Sequence, residues 1–204
     1  MPRTQTDETI TETHPETGSE TGAAAASGTA TTAPGGGPRH AVAGSPLGDL
    51  VLVAEDGALT GVYFAHQHRG RPGPEKLGER ADGEPVLAEA RRQLAEFFAG
   101  GRREFALPLA ARGDDFQRRV WDLIAAIPYG ATRTYGDLAG DLGDRLLAQA
   151  VGTAVGRNPL SLVVACHRVV GAGGKLTGYA GGLDRKRFLL DLEEPAGERE
   201  SRLF

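Results

Sequence analysis

Large apolar side chains are almost missing from the first 39 residues and then arrive in ordered patterns. Residues 1–39 are built mainly from Thr, Glu, Ala, Gly and Pro. Such a stretch cannot bury enough surface to offset the entropy of ordering it. It is expected to be a disordered tail, so the fold must be built from about His40 onward. That leaves room for one large domain or two small ones. The chain is 40% hydrophobic and 25% charged, ordinary values for a globular protein. Its net charge of -4 excludes a general polycation but not a locally basic face. No apolar run is long enough to span a bilayer, so no membrane role is expected. The first residues lack a basic segment followed by an apolar core, which argues against a secretory signal. With one cysteine the chain cannot form an internal disulfide, and a reducing, cytoplasmic setting is expected.

The segment 40–110 reads as an α/β unit. Pro46–Ala65 predicts two strands joined around Asp56-Gly57, a favoured hairpin pair. A polar, Gly/Pro-rich loop follows. Pro85–Gly100 predicts an amphipathic helix, with Leu87, Leu94, Phe97 and Phe98 at helical spacing and Gly100-Gly101 as its stop. Arg103–Gly113 predicts a short strand running into a linker. His66 and His68 are two ligand types without a third, so surface histidines are expected there and no metal site.

The segment 111–204 is mainly helical. Asp114 or Asp115 caps a helix whose apolar face is Phe116, Val120, Leu123 and Ile124, ended by Pro128 and Gly130. A short helix lies in "TYGDLAGDLG". Another, capped by Asp144, runs to Asn158-Pro159, and the pair suggests a helix-turn-helix. Ala148, Ala150, Gly152, Ala154 and Gly156 leave the second helix nearly bare, the shape needed to enter a narrow groove. Arg145 and Arg157 flank it, and Arg133 and Arg168 are further candidates for holding phosphates. A final helix packs Phe188, Leu189 and Leu192.

Cys166 stands after an apolar run and before His167 and Arg168. A thiol becomes a strong nucleophile as thiolate, so its pKa of about 8.5 has to fall. On an extended strand His167 would point away from the sulfur, and would reach it only through a bend or a bridging water. A carboxylate is needed to hold the imidazole, and both Glu193 and Glu194 are candidates.

The segment "ACHRVVGAGGKLTGYAGGLDRKRFLLDLE" resembles the active-site segment of the O6-alkylguanine-DNA alkyltransferases (methylated-DNA–protein-cysteine methyltransferases). "FQRRVWDLIAAIPYGATRTYGDLA", "AVGTAVGRNP" and "SPLGDLVLVAEDGALTGVYF" resemble the family's earlier segments in order, and the likeness runs from Ser45 to Glu193. The resemblance implies a ribonuclease-H-like α/β N-terminal domain and a C-terminal domain with a winged helix-turn-helix. It implies a monomer that binds double-stranded DNA through the minor groove and flips the alkylated guanine into a pocket. Cys166 would then accept the alkyl group from guanine O6, with O4-alkylthymine open as a second substrate, in one irreversible turnover. His167 is the implied base through a water, Glu193 its orienting carboxylate, and Tyr135 the donor to the leaving guanine. The carbonyls of Cys166 and Val169 would take the exocyclic amine, Ala180 N–H would face O6, Tyr179 would line the alkyl pocket and Asn158 would brace the loop. Ala148, Gln149, Ala150, Gly152, Arg145 and Arg157 form the implied DNA-binding set. No cofactor is implied, and the structural zinc of some members would lack its cysteines here.

Two residues depart from the family pattern. Ala165 stands where Pro is usual, which loosens the chain before the nucleophile. Gln149 stands where an arginine usually fills the gap left by the flipped base; its amide donates without charge and with a shorter reach. Two other readings compete: a lesion-binding protein without transfer, and a cysteine hydrolase using Cys166 and His167 as a dyad.

Overall fold

The computed structural model describes residues 36–66 and 70–194. His68 and most of the expected tail lie outside the described residues; His66 is exposed. Four strands form one sheet: β1 (Arg39–Ala43), β2 (Leu50–Glu55), β3 (Ala58–Phe64) and β4 (Glu79–Arg80). Their order is β3-β2-β1-β4, antiparallel except for the short parallel pairing of β4 with β1. The hairpin turn falls where the sequence predicts it. Asp56 and Gly57 both have positive φ, 51° and 75°, the left-handed geometry that matches the twist of the flanking strands. Arg39 already pairs with Ala54, so regular structure starts one residue before His40.

Helix α1 (Pro85–Phe98) begins with Pro in its first turn and lays Leu87, Leu94 and Phe97 into the core. The strand expected over Arg103–Gly113 does not form. Its contact is one bridge, Leu59 with Leu109, anchored by Leu59 N–H to Pro108 O at 2.8 Å. Pro108 lacks the N–H that a continued ladder needs.

Helix α2 (Asp115–Ala125) settles the cap on Asp114, whose carboxylate accepts from Gln117 N–H while Gln117 answers the Asp114 N–H. Residues Arg133–Thr134 make β5, which leads into α3 (Tyr135–Asp141); Thr134 and Asp137 close a second capping box. A 3-10 turn at Arg145–Leu147, capped by Asp144, feeds α4 (Ala148–Gly156). Val169–Val170 forms β6, parallel to β5, and α5 (Leu183–Glu193) is the last described element. In α5 Leu189 is buried and Leu192 half-buried, but Phe188 is 38% exposed, contrary to the expected packing. The α5 core face is taken instead by Lys186, Leu189 and Glu193, which leaves Phe188 on the solvent side.

One continuous core joins both segments. Leu52, Leu59, Val62 and Phe64 of the sheet pack in the same cluster as Val120, Ile124, Val151, Leu162 and Leu189. Val62 N–H donates to Pro159 O at 2.8 Å, which ties β3 to the loop leading toward Cys166. No helix among the described residues is long and apolar enough to cross a membrane.

Candidate active site

The chain after α4 is held by Asn158, which is buried. Its Nδ2 donates to Val164 O at 2.8 Å and its Oδ1 accepts from Leu160 N–H at 3.0 Å. Within that loop Leu162 has φ of 74°, a conformation a branched side chain adopts only when its surroundings impose it. Cys166 then opens a 3-10 turn, Cys166–Arg168, rather than continuing a strand. Of the two routes left open, a bend or a bridging water, the chain does bend here. Cys166 and His167 are both buried in this turn.

His167 Nε2 lies 2.8 Å from Glu193 Oε1. Of the two carboxylates the sequence leaves open, Glu193 is the one that meets the imidazole. It is also bound by Arg168, with Nε to Oε2 at 2.8 Å and Nη2 to Oε1 at 2.9 Å, and by Gly130 N–H at 3.1 Å. Burial alone would raise the carboxyl, but the bonds and charges of His167 and Arg168 win and hold it at about 2. It is thus a carboxylate, and Nε2–H donates to it. Nδ1 is left as a lone pair with no protein partner. Burial lowers the imidazole's pKa, against the pull of Glu193, so the ring rests neutral.

Arg168 corrects a second expectation. It does not face outward toward phosphates; it is 7% exposed, with Nη1 donating to Ile127 O at 2.6 Å. A guanidinium this deep needs its fork of donors answered, and Glu193 with the α2 terminus does so. Lys186 is a further buried cation. Its Nζ donates to Val169 O at 2.5 Å, Thr177 O at 2.6 Å and Gly178 O at 3.3 Å, and burial lowers its pKa to about 8. The helical spacing of Lys186 with Leu189 and Glu193 was the available signal for its inward position.

Burial pushes the Cys166 thiol up; Asn158, the Lys186 charge and Ser161 pull the other way without overcoming it. Cys166 therefore rests as a neutral thiol. Tyr135 donates to Thr177 O at 3.2 Å, and burial raises its pKa. Tyr179 rests edge-on against Phe64, centroids 6.1 Å apart, with a buried hydroxyl that has no partner. The Val169 and Cys166 carbonyls already accept from Lys186 and from Val169 N–H respectively. Each keeps a second lone pair for a ligand. Ala180 is half-buried in the loop beside Tyr179.

The α4 surface is a different environment. Gln149, Ala150, Thr153, Gly156 and Arg157 are exposed, while Ala148 and Gly152 are half-buried. At Gly152 a Cβ would lie 3.8 Å from the Tyr135 ring, which brings this helix close to the pocket. Arg145 is 78% exposed and 3.5 Å from Asp137; Arg133 pairs with Asp141 at 2.6 Å. Leu146, just before α4, is 89% exposed, and sequence periodicity gave no sign of that. Among the described residues no group of three or more His, Cys, Asp or Glu is placed to hold a metal ion.

The chain thus holds a buried cysteine, followed in sequence by an imidazole bonded to a carboxylate, and a helical segment whose outward residues are mostly small. Residues 39–111 match the 6-O-methylguanine DNA methyltransferase ribonuclease-like domain, and residues 115–195 match the DNA binding domain of the same family. The chain belongs to the 6-O-methylguanine DNA methyltransferase family. It is 44% identical over 154 residues to the methylated-DNA--protein-cysteine methyltransferase of Methanosarcina acetivorans, covering 76% of this chain and 97% of that one. The protein of that name from Mycolicibacterium paratuberculosis is 46% identical over 160 residues, covering 78% and 94%. The crystal structure of Mycobacterium tuberculosis O6-methylguanine methyltransferase superposes with a TM-score of 0.70 at 42% identity, over 78% of this chain and 96% of that one. A structure of the Mycobacterium tuberculosis protein in complex with DNA gives the same score and identity, over 76% and 92%.

Proposed function

We propose that this chain repairs DNA by moving an alkyl group from O6-alkylguanine directly and irreversibly onto Cys166. The observation that carries the role of Cys166 is the neighbouring imidazole: neutral, buried, bonded to Glu193 through Nε2 at 2.8 Å, with Nδ1 unpartnered. A water between Nδ1 and Sγ takes the thiol proton toward the imidazole, and Glu193 stabilises the imidazolium that forms. The sulfur then attacks the alkyl carbon in line. The S–C bond forms as the C–O6 bond breaks, and the electron pair passes into the guanine ring. Tyr135, kept protonated by burial, either stabilises that charge with a hydrogen bond or gives its proton to the ring, in which case the base leaves uncharged. The thioether has no group beside it able to hydrolyse it, so each molecule acts once.

The duplex meets α4 through its minor groove, with Ala148, Gln149, Ala150 and Gly152 toward the bases and Arg145 and Arg157 toward phosphates. The damaged base is flipped to reach a cysteine that is 3% exposed in the free protein. Val169 O, Cys166 O and Ala180 N–H read the base edge, Tyr179 lines the alkyl pocket, and Asn158 keeps the loop in shape. The protein works as a monomer, with 40–110 as the supporting domain and 111–204 as the working one. A reducing cytoplasm keeps the single thiol available until it reacts.

The test is mass spectrometry after incubation with an O6-methylguanine duplex. One added methyl on the peptide carrying Cys166, at one equivalent per protein, is expected. Catalytic turnover of an ester or amide with an unmodified Cys166 would instead favour the hydrolase reading. Tight lesion binding without modification would favour the non-transferring one.

A further inference from the structure

We infer that Leu146 is an apolar wedge: it enters the duplex at the base step beside the lesion and helps to turn the damaged guanine out. The inference rests on the proposed docking of α4 in the minor groove. Leu146 is 89% exposed, whereas Leu109, Leu183 and Phe188, the other exposed large apolar residues among those described, keep more than half of their area covered. A lone exposed leucine means little by itself. This one lies within residues 115–195, which match the family's DNA binding domain, and a fixed turn aims it.

The turn divides its three side chains among three directions. In a 3-10 helix successive side chains stand about 120° apart, and residues i and i+3 eclipse. Arg145 leans back onto α3: it is 3.5 Å from Asp137, and a Cβ at Gly140 would meet its Cγ and Nε at 3.7 Å. Leu147 packs half-buried against the core. Leu146 takes the remaining direction, into solvent. Asp144 fixes the turn. Its carboxylate accepts from Leu146 N–H at 2.8 Å, its carbonyl from Leu147 N–H at 3.0 Å, and its own N–H donates to Ala139 O at 3.2 Å. Helix α4 follows without a break, so Leu146 stands one turn ahead of Gln149 and Ala150, and the exposed Thr153 and Arg157 continue that face. Leu146 is the one large apolar side chain on it. Gln149 can offer hydrogen bonds to the gap left by a flipped base, but no apolar bulk. A leucine one turn away supplies it, because apolar side chains pushed between base steps unstack them. Disturbing the neighbouring stack lowers the cost of extruding the guanine.

At saturating protein, Leu146→Ser should slow methyl transfer from an O6-methylguanine duplex about five- to tenfold and from the single strand less than about twofold, because stacking resists flipping mainly in the duplex. Leu146→Met keeps an apolar wedge and should restore the duplex rate. The salt dependence of duplex affinity should keep its slope in both variants, since leucine displaces no counterion. A 2-aminopurine placed beside the lesion should brighten when wild-type protein binds the duplex, and less with Leu146→Ser. Equal brightening in the two proteins, none in either, or equal slowing on duplex and single strand overturns the wedge. So does self-association of the free wild-type protein that Leu146→Ser abolishes, which would make the leucine a contact between copies. Thr153→Glu, on the same face, tests the docking itself: wild-type duplex affinity in that variant overturns the placement of DNA on α4. Wild-type protein that takes no methyl on Cys166 overturns the transfer reading instead, and the fluorescence comparison still decides Leu146, because it reads the stack before any bond changes.

Discussion

Around Cys166 the charged groups are buried and answered: Glu193 by His167, Arg168 and Gly130, Arg168 also by Ile127, and Lys186 by three carbonyls. Along α4 the outward residues are small or uncharged until Arg157 at its end, and the nearby cations Arg133 and Arg145 share their charge with Asp141 and Asp137 in solvent. The first region spends stability on holding ionised groups in a fixed geometry. The second keeps its groups hydrated and its surface low, ready to exchange water for a partner. Substitutions in the two regions should therefore fail differently. Pocket changes should act on chemistry and stability together, and α4 changes on DNA-dependent steps alone.

The strongest way to break that contrast is at the sulfur. Cys166→Ser should reduce transfer to background with wild-type DNA affinity, because an alcohol stays protonated in this pocket. Transfer above about a tenth of the wild-type rate, read as a loss of transition-state stabilisation, would remove Cys166 from its role. Glu193→Gln comes next. It strands the buried Arg168 guanidinium, so unfolding in urea should show a loss of about 3–5 kcal/mol along with slowed transfer. Full stability in that variant would mean that Arg168 finds another partner.

Gly181→Ala probes the packing side of the pocket. An added Cβ would sit 2.5 Å from the Phe64 ring, which is fully buried and cannot move aside cheaply. A loss of about 1–3 kcal/mol is expected. Acid sharpens the same point. Glu193 is held at about 2, below its ordinary 4.5, so its contribution is present above pH 4.5 and is lost as pH falls toward 2. In Glu193→Gln that part of the acid dependence should disappear from a melting-temperature series. Gln149→Arg is the smallest change and the one confined to the surface. It should speed repair of duplex by a few-fold and of single strands less, since flipping from a duplex is the costlier step. Equal acceleration on both substrates would signal a general charge effect.

Much of this arrangement is legible in the sequence, and the parts that are not have physical reasons. The Asp56-Gly57 turn and α1 follow from local rules that operate within four residues, as does the start of α2 to within one residue, Asp114 or Asp115. The helix-turn-helix is likewise local. Glu193 against Glu194 was not decidable, because the choice depends on how a helix end lands beside a loop 26 residues away. Arg168 misleads for a related reason. An arginine reads as surface until its carboxylate is known, and the 3-10 turn that buries it interrupts a run that alternation would extend as a strand. The sheet's edge is similarly hidden, since β4 is two residues long and pairs with β1 across 40 positions. The strand expected near Leu109 was stopped by a missing donor at Pro108.

Phe64 lies in β3, far from the chemistry in sequence, yet Tyr179 rests on it, Gly181 touches it, and Arg185 stacks on it with its guanidinium 4.7 Å from the ring centre. Arg185 also reaches Leu47 O at 3.0 Å. The seat of Tyr179 is thus built jointly by the two segments of the chain. A fragment cut at the linker would carry every reactive group and still lack the floor under Tyr179. Under the role proposed for Tyr179, a smaller side chain at position 64 would loosen its seat from behind, so strand β3 belongs in any mutagenesis aimed at the range of alkyl groups taken.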